Sequence, residues 1–214
     1  MSNKRINKAY VRYDGSGRVI PGSLILNRFK PKVGNWSETP AYECCNFVPT
    51  SGYTIGQSAL GGKIAYIFQP GDPGYVEGEQ HGLVATVADN ADSIWGCVGT
   101  NLGTGNPADK LLGAGNQNTI DIMAGCATAG IAARVCGDLT EGGYSDWYLP
   151  SLDELGKLYI NRVAIGGFVS DIYICSNESE YFPTGFVWCQ IFSSGTLDNV
   201  PKDFATASRA IRTF

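Results

Sequence analysis

The sequence predicts an α+β fold, with two helices and an irregular, loop-rich mixed or antiparallel sheet preceded by a small N-terminal β module. Three observations carry this. Polar and apolar residues alternate around turn signals near the N-terminus, apolar residues recur at helical spacing in two central stretches, and short strand-like runs return on both sides of those stretches. The 28 glycines follow no fixed period, so they mark tight turns and irregular loops rather than a low-complexity segment.

In chain order, residues 8–13 and 18–29 alternate around "DGSG" and "IPGS" and read as strands of a hairpin-like module covering residues 1–50. Turn residues in "VPTSGYTIGQ" mark the boundary with a second domain, residues 51–214. There "GGKIAYIF" and "HGLVATVA" read as two short, buried strands that pair in one sheet, separated by the Pro- and Gly-rich "QPGDPGYVEGEQ". In "NTIDIMAGCATAGIAARVC" the residues Ile120, Met123, Ala127, Ile131, Ala132 and Val135 recur at helical spacing. Asn118 can cap that helix and Gly137 stops it. Trp147, Tyr148 and Leu149 form an extended apolar lead into Pro150. Ser151 then caps a second helix, Glu154 completes a capping box, and Leu152, Leu155 and Leu158 supply its buried side. Strand signals come back at "GFVSDIYICS", "FVWCQIF" and "SRAIRTF", the last free to pair near the first strands of the domain.

The chain of 214 residues is long enough to bury a core without disulfides. Its composition is 43% hydrophobic and only 17% charged, that of a folded domain rather than a disordered one. A net charge of -4 gives no electrostatic footprint for nucleic acid. No apolar run reaches the roughly 18 residues needed to insert into a membrane, and "MSNKR" is not followed by the apolar core of a signal peptide. The expectation is a protein made in the cytoplasm without a signal peptide.

Seven cysteines, Cys44, Cys45, Cys97, Cys126, Cys136, Cys175 and Cys189, form no CxxC pair, so no structural zinc, and no metal or cofactor, is expected. Cys126 and Cys136, in the apolar helical pattern, read as buried free thiols. His81 is the only histidine and reads as the start of a strand rather than a catalytic base. Asp146, Asp153 and Glu154 could be read as paired carboxylates, but a helix start attracts acids for capping and for its dipole. "GTNLGTG" and "LLGAGN" lack the features of a phosphate-binding loop and read as turns. No catalytic residue is assigned.

The run "LGGKIAYIF…HGLVA", the helix ending "AARVC", the phrase "GGYSDWYLPSLDEL…LY" and the ending "FVWCQIFSSG…K…SRAIRTF" resemble the bacterial and phage C-type-lectin-like domains related to the formylglycine-generating-enzyme fold. The likeness spans roughly residues 58–214, and "SDWYLPSLDEL" is its most specific part. Tyr173, Ser176, Glu178, Trp188, Phe192, Gly195, Lys202, Arg209, Arg212 and Phe214 match the family's C-terminal pattern, whereas Ile174 replaces the usual tryptophan and Ser208 the usual valine. The group includes variable proteins of diversity-generating retroelements and phage tail proteins that recognise host cells.

The resemblance implies a non-enzymatic receptor-recognition protein of a phage or prophage tail, diversified by a retroelement within residues 173–214. It implies a virion location, a host cell-surface protein or glycan as ligand, and attachment to other tail proteins through the N-terminal module. A homotrimer fits the avidity that repeated weak binding faces gain. Trp147, Leu149, Pro150, Trp188, Phe192, Arg209 and Arg212 are expected to form the scaffold. Between the framing aromatics and arginines, Asn177, Ser179, Tyr181, Cys189, Ile191, Ser193, Ser194, Thr196, Asp198, Asn199, Val200, Asp203, Phe204 and Thr206 are expected to be displayed to the ligand. Two other readings compete. One is a formylglycine-generating-type copper oxidase using Cys175 and Cys189, and the other is a purely structural tail or baseplate protein.

Overall fold

The computed structural model describes residues 8–12, 25–27, 36–38 and 52–214. The chain divides into two compact units, Met1–Gly52 and Tyr53–Phe214. In the first, β1 (Lys8–Arg12) pairs antiparallel with both β2 (Ile25–Asn27) and β3 (Trp36–Glu38). The sequence alternation anticipates β1 and β2 but not β3. Cys44 and Cys45 lie outside the described residues.

The second unit is a mixed α+β structure built on two antiparallel sheets. In the first sheet β4 (Ser58–Ala59), β5 (Gly62–Ile67) and β6 (Gly82–Ala85) run as neighbours, and β10 (Ile211–Thr213) adds to β6. The expected return of the C-terminus to the first strands is therefore present, with Ile211 opposite Ala85 and Thr213 opposite Leu83. Ile64, Ala65, Leu83, Val84 and Ile211 are fully buried, as the apolar runs demand. Phe214 closes the end edge-on against Tyr53 at 5.1 Å.

Three helices, not two, follow: α1 (Gly115–Gly125), α2 (Ala132–Gly137) and α3 (Leu152–Ile165). The single helix expected after Asn118 is broken at residues 126–131. Gly130 takes a left-handed φ of 69° there, and the Arg134 guanidinium donates to the freed carbonyls of Met123 and Cys126 at 2.7 and 2.9 Å. Two details of the expected helix are corrected. Asn118 is no cap, because α1 starts a turn earlier behind Ala114; its buried amide instead donates to the Asp109 carbonyl and the Ser176 hydroxyl. Ile120 is 52% exposed, and the buried stripe runs through Asn118, Thr119 and Ile122.

α3 follows its sequence signals closely. Ser151 accepts from the Glu154 amide, the Glu154 carboxylate accepts from the Ser151 amide at 2.7 Å, and Leu155 and Leu158 are fully buried. Burial raises the Glu154 carboxyl above its ordinary range, against the amides of Ser151 and Gly113 and the Tyr148 hydroxyl, which all donate to it.

Cys126 is not a free thiol. It forms a disulfide with Cys97, 29 residues earlier, whereas Cys136, Cys175 and Cys189 are free and buried. The reading missed the pair because spacing alone cannot show which loop returns to a helix end. No helix among the described residues is long and apolar enough to cross a membrane.

The second sheet comprises β7 (Ile172–Glu178), β8 (Phe186–Ile191) and β9 (Leu197–Pro201), in that order. Its two faces serve different cores. Ile174, Val187 and Cys189 join a cluster with Trp95, Ile131 and Trp147, while Tyr173, Cys175 and Phe192 join a cluster with Leu155, Leu158 and Ile211. Helix α3 covers part of the second face. Beyond it, towards β9, that face is open.

Candidate functional site

Register decides what the open face presents. β8 and β9 pair Phe186 with Pro201, Trp188 with Asn199, and Gln190 with Leu197, so these six side chains share one face. Val187, Cys189, Val200 and Asp198 alternate to the other. At the Phe186 end the chain between β7 and β8 adds Tyr181 and Phe182. Tyr181 is 73% exposed and Phe182 66%, and the Phe182 ring meets Phe186 edge-on at 6.0 Å. Together with Ser179 and Asn199 these three rings line a hollow of about 380 Å³. The Asn199 side-chain oxygen, buried there, has no hydrogen-bond partner.

A polar cluster adjoins the rings. Trp188 is half-buried, its indole N–H donates to Glu180 at 2.8 Å, and the Lys110 ammonium lies 5.0 Å from its ring and 2.7 Å from the same carboxylate. Burial alone would raise Glu180, but the bonds from Lys110, its own backbone amide and Trp188 hold it below the ordinary carboxylate range. Trp188, expected as scaffold, thus also forms part of the surface.

Beneath the rings the strand ends are fixed by a buried ion pair. Lys202 and Glu178, both fully buried, meet at 2.6 Å. The carboxylate also accepts from the amides of Leu102, Gly103 and Thr104, and the ammonium donates to the Thr100 carbonyl. Arg209 and Arg212, expected as scaffold, form ion pairs of their own. Arg209, fully buried, donates to Asp89, which also accepts from the Tyr173 hydroxyl and the Val169 amide. Arg212 grips Asp146 through two bonds of 2.7 and 2.9 Å and lies over the Tyr144 ring. The hydrogen bonds from Arg212 outweigh burial and hold the Asp146 carboxyl below its ordinary range. Trp147, Leu149, Pro150 and Phe192 are buried.

The fourteen residues expected to be displayed do not form one surface. Four point inward, which corrects that expectation. Asn177 accepts from the Leu152 amide and donates to the carbonyls of Thr104 and Asp109, serving the start of α3. Ser179 is buried beneath the rings, Cys189 lies in the core, and the Thr206 hydroxyl donates to the Ile172 carbonyl. Val200 and Ile191 are partly buried, Val200 against the core. Ser193, Ser194 and Thr196 are exposed on the turn between β8 and β9, Asp198 is exposed on the face opposite the rings, and Asp203 and Phe204 are exposed on the loop after β9. Only Tyr181, Asn199 and, from below, Ser179 reach the aromatic hollow.

Phe182, Phe186 and Leu197 belong to the open face and were missed. The signal was available in period-two alternation through 186–190 and 197–201, had the latter been read as a strand rather than a loop. The glycine just before it, Gly195, has a left-handed φ of 82° and a neighbouring Tyr159 ring where a Cβ would stand, so it closes the β8–β9 turn.

Cys175 and Cys189 enter different cores on opposite faces of the sheet. Burial pushes their thiols up to about 12 and about 11, keeping both protonated. Two thiolates that share one copper ion need to converge, and these side chains diverge. His81 stands at the start of β6, its ring nitrogens 3.0 Å from Glu79 and 3.1 Å from the Phe214 carbonyl oxygen, a structural placement.

No protein-family model matches the chain, and no curated protein matches it significantly.

Proposed function

We propose that this chain is a recognition protein of C-type-lectin-like fold, related to the formylglycine-generating-enzyme fold and carried by a phage or prophage tail, which binds a host cell-surface molecule without chemical turnover. The observation that carries the reading is the cluster of Tyr181, Phe182 and Phe186, three large exposed rings grouped where the β7–β8 loop meets the sheet edge. Exposed aromatics grouped in this way mark binding surfaces. Rigid aromatic side chains give contact area at low entropic cost, and a framed surface loses less freedom on association.

Other features agree with this role. The ion pair under the rings and the arginine frame hold the display surface independently of its outward side chains, so those side chains can change without loss of the fold. That property suits diversification by a retroelement, and the codons to examine are those for the open-face positions rather than for all residues between 177 and 206. Disulfides persist in oxidising surroundings such as a released virion meets. In this reading residues 1–50 attach the recognition unit to other tail proteins, and a homotrimer gains avidity.

The test replaces Tyr181, Phe182 and Phe186 together by alanine and measures binding of the labelled protein to a panel of bacterial strains by flow cytometry. Strains bound by the parent should lose binding on the order of a hundredfold with the triple variant, while its melting temperature stays with the parent's. Undiminished attachment by a folded triple variant, or no strain bound by the parent, overturns the reading.

A further inference from the structure

A second recessed surface lies on the same sheet face, at the Gln190–Leu197 end, between α3 and β9. It is a groove of about 690 Å³, within the range that small binding sites span, roughly 300–1,000 Å³. Its walls are aliphatic, with Leu111, Ile160 and Leu197 respectively 54%, 70% and 46% exposed, and none of the residues lining it is aromatic. Gln190 forms part of its lining and is only 5% exposed. The Gln190 amide nitrogen donates to the Gly195 carbonyl at 3.2 Å, but its oxygen is buried without a hydrogen-bond partner. A buried acceptor left unpaired is costly and uncommon in folded proteins, and a donor brought into the groove would satisfy it. Leu197 is the cross-strand neighbour of Gln190 and lines the groove beside it.

The rim adds charge. Asp72 and Asp153 both line the groove, and Asp153 forms no ion pair among the described residues. Asp72 accepts from the Tyr66 hydroxyl and the Gln69 amide, and the single cation, Lys157, lies 4.5 Å over the Tyr66 ring. The lining thus carries two carboxylates against one ammonium, which also attracts Asp72, so its balance is acidic.

We infer that this groove binds a short extended peptide segment of a partner protein, with an aliphatic side chain between Leu111, Ile160 and Leu197, a backbone N–H donated to the Gln190 oxygen, and a neighbouring lysine or arginine facing Asp153. Other ligand classes fit less well. An acyl chain leaves the acceptor unpaired, a phosphate meets two carboxylates against one ammonium, and a sugar finds no aromatic wall to stack on. The inference goes beyond the recognition reading and does not require it, because the groove and the aromatic hollow share no lining residue.

The probe is a phage-displayed random heptapeptide library panned on the full chain, followed by fluorescence polarisation with the selected peptides as synthetic, labelled molecules. Selected sequences should share an aliphatic residue beside a basic one. Two variants address the groove. Gln190→Leu removes the acceptor, and Gly156→Phe fills the groove from α3, where a Cβ has no atom within 4 Å. Each should weaken binding about tenfold or more, at a melting temperature close to the parent's, since Gln190→Leu removes an unpaired buried oxygen while giving up the bond to the Gly195 carbonyl, and Gly156→Phe replaces a mid-helix glycine.

Methylating the peptide nitrogen at the aliphatic position should weaken binding similarly, a readout that needs no protein variant. Tyr181→Ala/Phe182→Ala/Phe186→Ala should leave peptide binding unchanged. The proposal is overturned if no peptide is enriched, if the selected peptides tolerate both groove variants or the N-methyl group, or if only the aromatic triple variant loses them.

Discussion

Lys202→Met is expected to destabilise the second unit by about 3–5 kcal/mol, the usual cost of removing one partner from a buried ion pair. Glu178 and Lys202 are both fully buried and 2.6 Å apart, so neither can recover water when the other is lost. The methionine nearly fills the lysine stem's volume, and its sulfur can remain near the Trp95 ring, which the ammonium faces at 4.5 Å. Little of the expected loss therefore comes from a cavity. The cost lies in a carboxylate left with three backbone donors but no cation, and in the Thr100 carbonyl that loses its partner.

Urea unfolding followed by tryptophan fluorescence measures the change. A double variant, Lys202→Met/Glu178→Leu, should be less destabilised than the sum of the two single changes, because it leaves no unpaired charge. It should still fall below the parent, because the amides of Leu102, Gly103 and Thr104 are then orphaned. A loss below about 1 kcal/mol for Lys202→Met would mean that the pair contributes no more than a surface one.

These two residues also show what can be read from the chain alone. Both stood in the sequence as members of a C-terminal pattern, but nothing in their spacing of 24 residues reveals that they meet. Local signals were legible. Ser151 and Glu154 state the start of α3 because a capping box acts within one turn, and the apolar runs at 62–67 and 82–85 state two buried strands because both of their faces must be covered. The break between α1 and α2 was not legible, because Ala127, Ile131 and Val135 keep helical spacing across it. What ends α1 is Cys126, which turns extended, with Arg134 of α2 taking up the freed carbonyls.

β9 was hidden for the opposite reason. "LDNVP" contains Asp, Asn and Pro, which propensity assigns to turns, yet pairing with β8 makes it a strand. That one difference redistributes the candidate site. A displayed loop would expose successive residues, whereas a strand sends Leu197 and Asn199 to the open face and Asp198 and Val200 to the other. The three rings follow the same logic. Phe186 was recognisable as a strand residue, but whether it faced core or solvent depended on which face α3 covers, and that is set by packing between elements far apart in sequence.

Loss of the Cys97–Cys126 bridge should lower stability by about 3–4 kcal/mol. The bridge closes a loop with a sequence separation of 29 residues, and constraining a loop of this size in the unfolded chain is worth roughly that much in the chain-entropy account. The same loop carries the amides that hold Glu178, the Lys110 ammonium that faces Trp188, and the leucines at the head of the groove. Reduction of the parent protein and the variant Cys97→Ser/Cys126→Ala should agree in direction, and the comparison separates loss of the bond from loss of the buried sulfur.

With a midpoint shift of roughly 2–4 °C per kcal/mol in a domain of this size, calorimetry should record a fall of about 10 °C. Binding should respond unequally. The aromatic rings stand on segments outside the bridged loop, whereas the groove takes Leu111 and Leu112 from within it, so peptide binding should weaken on reduction at temperatures where attachment through the rings persists. A melting temperature that does not move on reduction would show that packing of Trp95, Ile122 and Ile131 already fixes the loop without the bond.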